Sequence, residues 1–556
     1  MQGGDTGEFA LVAVRGAVAH PPGYPLYAML SRAWTAVLPG EPFLRIALLS
    51  ALLGASGAAV LQRALARLTG DETVSLLAAL AFALSPLAWR ASTLPEVFAL
   101  ATLLASTCLL ASTRLVDATP EATPRASAWL GLACGLALAN QHTAVLAAPI
   151  AIHALVVAIR RDGRVARVLV PFAAAALAGL LPYVWLPIAA RTAGPHAWIW
   201  GDTSSAEGLA SHVLRRDYGT LRLGVEGAER APLARIVECL VGVAAQWTWI
   251  WAVPGIAGAI VLWKRQRGLA LAWAASFALS AVVFPSLVNL PRSEIASAVV
   301  ARFHLLPAQL FAVPVAFGMA RLLAWRRALG TVLLLLPFPL AVLGGVNVHA
   351  PSSHAVERYF HAALREVERD AVIVGQGDMD LFAIGWLLDG REERPDVEYL
   401  DANLVRHRWY YDRACERIPE LAEIPFDGER TRLTPILEAL SKTRPTYATM
   451  QLAPLVGAAF DRWPEGFFAR IEPVGTARPP AAELEVRLAR ATSALPPPRR
   501  SDDAWARSVR LQAAVPWKVL AEEWTREGAA DRAAEARRKQ DALVLDASLQ
   551  YATRFW

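Results

Sequence analysis

Lysine is almost missing from this chain of 556 residues: Lys264, Lys442, Lys518 and Lys539 are the only four among 55 basic residues. Cysteine is as scarce. Of four, Cys108, Cys134 and Cys239 stand inside long apolar runs, and Cys415 alone lies in the more polar tail. A single tail thiol cannot form a disulfide within that region, so no disulfide scaffold braces it. Charge is thin as well. Asp, Glu, Lys and Arg make up 19% of the residues, against roughly 25% in an ordinary soluble domain.

The net charge of +6 and a pI near 9.3 raise the question of nucleic acid. The arginines gather at the ends of apolar runs, where membrane topology explains them. A preference for arginine over lysine is also the usual mark of genome base composition. Nucleic acid is therefore not an expected partner.

What the chain does have is apolar length. It is 55% hydrophobic with a mean hydropathy of +0.34, and the excess lies before about residue 348. A helix needs about 20 mostly apolar residues, within about 17–25, to cross the hydrocarbon core. Runs of that kind lie near 44–62, 73–89, 97–115, 127–140, 142–159, 168–189, 236–263, 269–290, 300–323 and 328–348. They predict a polytopic α-helical membrane protein with about ten spanning helices. The partition around Asn140-Gln141-His142 is the least defined.

Basic residues mark the cytoplasmic connections of such a protein. With residues 1–43 outside, those connections carry Arg63 and Arg67; Arg114 and Arg125; Arg160, Arg161, Arg164 and Arg167; Lys264, Arg265 and Arg267; and Arg326 and Arg327. The opposite short connections carry little beyond Arg90 and Arg292. The pattern places 190–233 and everything after 348 outside. Residues 1–43 contain no charged-then-apolar start of a signal peptide. An external start with no helix before it is hard to insert, so a first spanning helix is expected upstream.

The expected organisation is a first outer loop with a juxtamembrane helix over 1–43, a membrane domain over 44–348, a soluble α/β domain over 349–495 and a helical segment over 496–556. In the tail, Ala371 to Val374, Val397 to Leu400 and Tyr447 to Met450 read as strands between amphipathic stretches such as 354–369 and 431–442. That alternation is a βαβ pattern. After Pro496-Pro497-Pro498, residues 502–548 are rich in Ala, Arg and Glu at helical spacing.

The opening segment carries the chemistry. Asp5-Thr6-Gly7-Glu8 puts two carboxylates three residues apart, on one helix face or one turn. It precedes His20-Pro21-Pro22-Gly23-Tyr24-Pro25-Leu26-Tyr27. Beside the membrane a carboxylate can serve as general base toward a hydroxyl; equally, Asp and Glu cap helix starts. Both readings remain open.

The run DTGEFALVAVRGAVAHPPGYPLYAMLSRAW resembles the opening of a family of bacterial membrane proteins related to the animal transmembrane O-mannosyltransferase that acts on immunoglobulin-like domains of plexins and receptor kinases. Leu94-Pro95-Glu96-Val97-Phe98, the segment GLALANQHTAVLAAP over 135–149, Trp200-Gly201-Asp202 with HVLRRDYG over 212–219, and Arg302-Phe303 resemble further parts of that family. So do GQGDMD over 375–380 and RPDVEYLDANLVRHRWYYD over 394–412. The match is scattered over residues 5–412 and specific as a set.

The resemblance implies a C-class glycosyltransferase-like bundle using a polyprenyl-phosphate sugar, with mannose the candidate sugar, and with inversion. It implies an acid in the first outer loop, where Asp5 stands with Glu8 as second candidate. A leaving phosphate needs cationic or hydrogen-bonding partners. Arg302 is the first choice because guanidinium matches phosphate in a fork; a snorkelling arginine is the alternative. His20, Tyr24, Glu96 and His142 are further candidates for donor binding, a polar residue inside an apolar bundle being costly unless functional or satisfied. Trp200, Gly201 and Asp202 belong to the second outer loop, Asp202 as a second acid or a loop residue.

Other motifs carry less. Gly375-Gln376-Gly377 lacks the third glycine of a dinucleotide fingerprint, where Asp380 stands. Asp378 and Asp380 form an isolated Asp-x-Asp, more often a turn than a metal site. No cofactor or metal is expected, since the lipid-linked sugar is itself a substrate. The expected partners are the bilayer, that donor, and an acceptor protein or glycan, with the protein in a bacterial inner membrane and its tail in the periplasm. The rival reading is a non-enzymatic transporter or lipid-handling protein, whose ionisable residues would sit near the bilayer midplane.

Overall fold

The computed structural model describes residues 3–194, 197–220, 223–224, 231–291, 293–335, 338–339, 354–428, 433–499 and 502–544. Arg292, the end of the expected last span (336–348 except 338 and 339), parts of the 190–233 loop and the last twelve residues lie outside that set. The chain forms two compact units. One comprises residues 18–192 and 202–348, the other residues 1–17, 193–201 and 349–556.

The first unit is helical, and it makes the chain an integral membrane protein. Among the described residues, six helices are long and apolar enough to span: Pro42–Thr69, Phe98–Val116, His142–Asp162, Val165–Thr192, Arg267–Ser286 and Glu294–Trp325. Of the other four expected runs, two are broken, one is a helix that is not apolar enough, and one is only partly described. The run near 73–89 is divided at Ser85, because Pro86 starts a new helix. Thr123–Asn140 stays a single helix. The run over 236–263 becomes Pro232–Gln246 and Ala252–Arg265, interrupted where Thr248 and Trp249 take positive φ. The last is described only over Arg327–Leu335 and at 338–339.

Helices approach closely where glycine removes the side chain. A Cβ built on Gly131 or Gly135 would lie 2.1 Å from the carbonyl oxygens of Phe172 and Ala176. On Gly258 or Gly318 it would lie 1.8 Å from those of Pro314 and Pro254. Lipid gives no hydrophobic drive between helices, so backbone proximity of this kind supplies the packing. Three of the arginine-rich connections share one end of the bundle. Arg67 pairs with Asp117 at 2.6 Å, and Arg161 donates to the carbonyl of Leu115 and to the Thr123 hydroxyl.

The second unit contains a five-stranded sheet in the order Glu398–Asp401, Val372–Gly375, Thr446–Thr449, Phe468–Pro473, Phe460–Glu465. The first three strands are parallel and lie within a residue of the expected positions. The last two form an antiparallel hairpin turning at Gly466, φ +62°. Helices Ala355–Glu366, Asp378–Gly385, Leu433–Thr443 and Ala481–Ser493 accompany the sheet. Ala504–Arg526 and Ala530–Ala542 form a terminal helical pair.

The amino-terminal helix Thr6–Arg15 packs on Asp378–Gly385 and the turn Trp386–Gly390. Phe9, Leu11 and Val12 are at most 2% exposed, and burying each such side chain is worth about 1.5–3 kcal/mol. At its end Arg15 Nε donates to the Asp389 carbonyl at 2.7 Å and its guanidinium pairs with Glu392.

Candidate functional site

In the membrane unit the resemblance residues Glu96 and Arg302 meet. Glu96 follows Pro95 just ahead of Phe98–Val116, and Arg302 starts a 3₁₀ turn within Glu294–Trp325. Arg302 Nη1 donates to Glu96 Oε1 at 3.0 Å. The guanidinium also lies over the Phe98 ring, 5.8 Å from its centroid, and Phe303 packs on Phe98 and Phe284. The pair is largely withdrawn from solvent, with side-chain exposures of 21% and 7%. A desolvated ion pair of this kind is weak evidence of stability by itself. Its value here is that it holds a guanidinium fork in a fixed place.

Arg302 also lines a cavity of about 280 Å³. The lining runs along one helix from Phe98 to Ser112 and includes Ala137, Leu155, Phe172 and Leu306, with few polar groups beyond Gln141, Gln309 and Arg302. Because Arg302 adjoins Phe98, the cationic group marks one end of an elongated apolar slot. Such a slot suits a hydrocarbon chain carrying an anionic head.

The remaining residues of this unit are engaged locally. His142 Nε2 is 2.8 Å from the Tyr183 hydroxyl, which donates to the Leu138 carbonyl; its neighbours Gln141 and Thr143, rather than His142, line the slot. His20 and Tyr24 contact each other, Nε2 to hydroxyl 3.1 Å, across the Pro-Pro-Gly turn. His212, missed as a single candidate, is buried beside that turn, so close that a Cβ on Gly23 would lie 2.9 Å from its Nε2. Burial and the nearby His20 hold its imidazole down at about 3, hence neutral. Asp202 accepts hydrogen bonds from the Ser204 and Ser205 hydroxyls, both at 2.7 Å. Partial burial pushes its carboxyl up, but these bonds outweigh that and lower it.

Asp5, Glu8, Trp200 and Gly201 belong to the other unit. Asp5 stands at the N-cap of Thr6–Arg15, yet its side chain makes no capping hydrogen bond. It is half-buried. Glu8, one turn on, is fully buried and accepts from Trp198 Nε1 at 3.2 Å. Trp198 packs edge-on against Trp200 and Phe382, and Trp200 lies against Trp409. Glu8 thus anchors an aromatic cluster, and Asp5 is the acid left with partial exposure. Trp198 was signalled only by standing two residues before Trp200; nothing in the spacing pointed to Trp409.

Comparison with known proteins first defines a class. The fold is shared with ArnT from Cupriavidus metallidurans. The structure bound to undecaprenyl phosphate matches with a TM-score of 0.53 at 15% identity, covering 86% of this chain and 95% of that one. The apo structure matches with the same score at 14% identity and the same coverage.

The particular relationship is closer in sequence. Residues 5–164 match the Protein O-mannosyl-transferase TMEM260 N-terminal domain, and the chain is similar in sequence to TMEM260 proteins. It is 28% identical to mouse Protein O-mannosyl-transferase TMEM260 over 447 residues, 77% of this chain and 63% of that protein. With the Dictyostelium discoideum protein the identity is 24% over 499 residues, 80% of this chain and 61% of that one. The chain therefore spans somewhat under two thirds of the relatives it matches.

Proposed function

We propose that this protein is an inverting glycosyltransferase. It moves a sugar, mannose by its relatives' names, from a polyprenyl-phosphate donor to a hydroxyl of an extracytoplasmic acceptor, a protein by the same reasoning. The observation that carries this reading is the apolar slot ending at the Glu96–Arg302 pair. It lies in a fold shared with a protein solved with undecaprenyl phosphate. The arginine distribution supports an extracytoplasmic soluble unit, and in this reading that side is the periplasm of a bacterial inner membrane.

In this mechanism the slot holds the lipid and Arg302 binds the phosphate in a forked geometry. Glu96 keeps the guanidinium oriented before the donor arrives. Asp5 accepts the proton as the acceptor oxygen attacks the anomeric carbon. The bond from that carbon to the phosphate oxygen breaks on the opposite face, and the lipid phosphate leaves with its electron pair, stabilised by Arg302. No metal or cofactor is called for.

The test is transfer by the purified full chain from a panel of labelled polyprenyl-phosphate sugars. Asp5→Asn should lower turnover by on the order of 10²–10⁴ with donor binding retained. Arg302→Ala should weaken donor binding itself. Donor binding without transfer to any acceptor would favour the lipid-handling alternative, and wild-type transfer by Asp5→Asn would remove Asp5 as the base.

A further inference from the structure

We propose that Trp505, in the C-terminal helical segment, is a positioning residue for Asp5, an inference that rests on Asp5 being the base. Gly3 and Gly4 run flush against the Trp505 indole. A Cβ on Gly3 would fall 2.5 Å from its Cγ, and one on Gly4 would fall 3.3 Å from Cζ2. Gly4 has φ +77°, a left-handed conformation that strains a residue with a side chain even in open space. Two consecutive glycines here answer two separate demands, close approach and a left-handed turn.

The indole is itself fixed. It is 7% exposed and sits in the first turn of Ala504–Arg526, which Asp503 caps through the Ala506 amide at 2.9 Å. Just before it, buried Asp502 pairs with Arg510 Nε at 2.5 Å. Arg510 in turn donates to the carbonyls of Pro496 and Pro497 at 2.8 and 3.1 Å. The proline linker, the helix start and the indole therefore form one rigid support.

The chain leaves this support at Gly4 and places Asp5 directly afterwards, at the head of the buried Thr6–Arg15 helix. Burial of Phe9 to Ala13 fixes the helix side of Asp5, and Trp505 fixes the other. With both flanks held, the backbone at Asp5 is fixed in place, and a shift of the Trp505 support would move the carboxylate with it. A general base displaced by about 1 Å loses up to about 10²-fold in rate.

The experiment measures kcat and donor KM of the purified full chain for Trp505→Ala, Trp505→Phe, Gly4→Ala and Asp5→Asn, with thermal melting as a folding control. Trp505→Ala should lower kcat by about 10–100-fold with donor KM unchanged, and Trp505→Phe should restore most of it. Gly4→Ala keeps the indole and should also lower kcat. Because Trp505 acts through Asp5, the Asp5→Asn/Trp505→Ala double variant should be no slower than Asp5→Asn alone. An inactive Asp5→Asn beside a folded Trp505→Ala and Gly4→Ala of wild-type kcat would overturn this inference and leave the proposed function standing. Additive losses in the double variant would overturn it too. Wild-type transfer by Asp5→Asn would overturn the base assignment and this inference together.

Discussion

The two units differ in where they place buried polarity. In the membrane unit, many hydroxyls fold back on their own helix, as Thr102 donates to Phe98, Thr107 to Leu103 and Ser280 to Ser276. Beside them stand a few long-range bonds such as Ser127 to the Val168 carbonyl and Gln309 to Ser106. In the soluble unit, buried polar side chains form long-range networks. Glu465 accepts from the Tyr447 hydroxyl, Trp463 Nε1 and Arg487. Apolar surface differs in the same sense. Leu44, Leu52, Val170, Leu177, Val253 and Ile256 of the membrane unit are each more than half exposed, whereas among the described residues of the tail the large exposed hydrophobics are Leu455, Val474 and Val486. A helix facing lipid has no water to satisfy its backbone and needs no polar outer face. A domain facing water can hold charge in its interior only by pairing it.

The sharpest way to break this contrast is to add volume where helices touch. Gly258→Val would drive side-chain atoms into the Pro314 carbonyl. It should destabilise the detergent-solubilised protein by about 3 kcal/mol or more, read as loss of folded material. A glycine of the tail with open space beside it, Gly475, carries only its φ of +91° as a constraint. Gly475→Ala should cost about 1–2 kcal/mol.

Next in size is a buried tail carboxyl with no cationic partner among the described residues. Asp380 is completely buried, and desolvation pushes its pKa up to about 7. The folded state then holds a proton that the unfolded state has released, so stability falls as pH rises from about 4 to about 7 and is flat above. At about 1.4 kcal/mol per unit, the loss reaches a few kcal/mol. Asp380→Asn should remove the fall, raising the tail's melting temperature at pH 8 far more than at pH 4. An unchanged pH profile would show that the carboxyl ionises without cost. Asp401, pushed up to about 6 by burial, contributes in the same direction, partly offset by amide bonds from Asn403 and Leu404.

The smallest effect lies at the surface. Val486→Gln, on an exposed position of a tail helix, should change stability by no more than about 0.5 kcal/mol. Leu52→Gln, at similar exposure in the membrane unit, should lower the membrane-integrated yield. Equal outcomes would dissolve the distinction between the two surfaces.

Much of this architecture was legible. Long apolar runs and arginine placement announced the bundle because hydropathy is averaged over many residues. Three strands were visible as short β-rich runs between breakers. The hairpin Phe460–Glu465 and Phe468–Pro473 was not read, although Gly466 between two aromatic segments was a signal. The break at Thr248 and Trp249 falls inside continuous apolar sequence and leaves no compositional trace. The site was legible only as a set of residues. Glu96 and Arg302 are 206 positions apart, and no spacing rule could pair them. The assignment of Asp5 and Glu8 to the soluble unit depends on tertiary packing with Phe382 and Trp505, which local pattern does not encode.

The soluble unit is assembled from residues 1–17, 193–201 and 349–556, and this imposes a waiting time. Asp5 and Trp505 are separated by 500 positions. At roughly 5–20 residues per second of synthesis, roughly 25–100 s pass before the indole exists. A ten-residue helix is marginal alone, so Phe9, Leu11 and Val12 wait for Asp378–Gly385 and Trp386–Gly390, roughly 370 residues later and so roughly 20–75 s at that pace. Burial of the first helix is thus set by when the middle of the tail is made, while its Gly3–Gly4 lead waits longer, for Trp505.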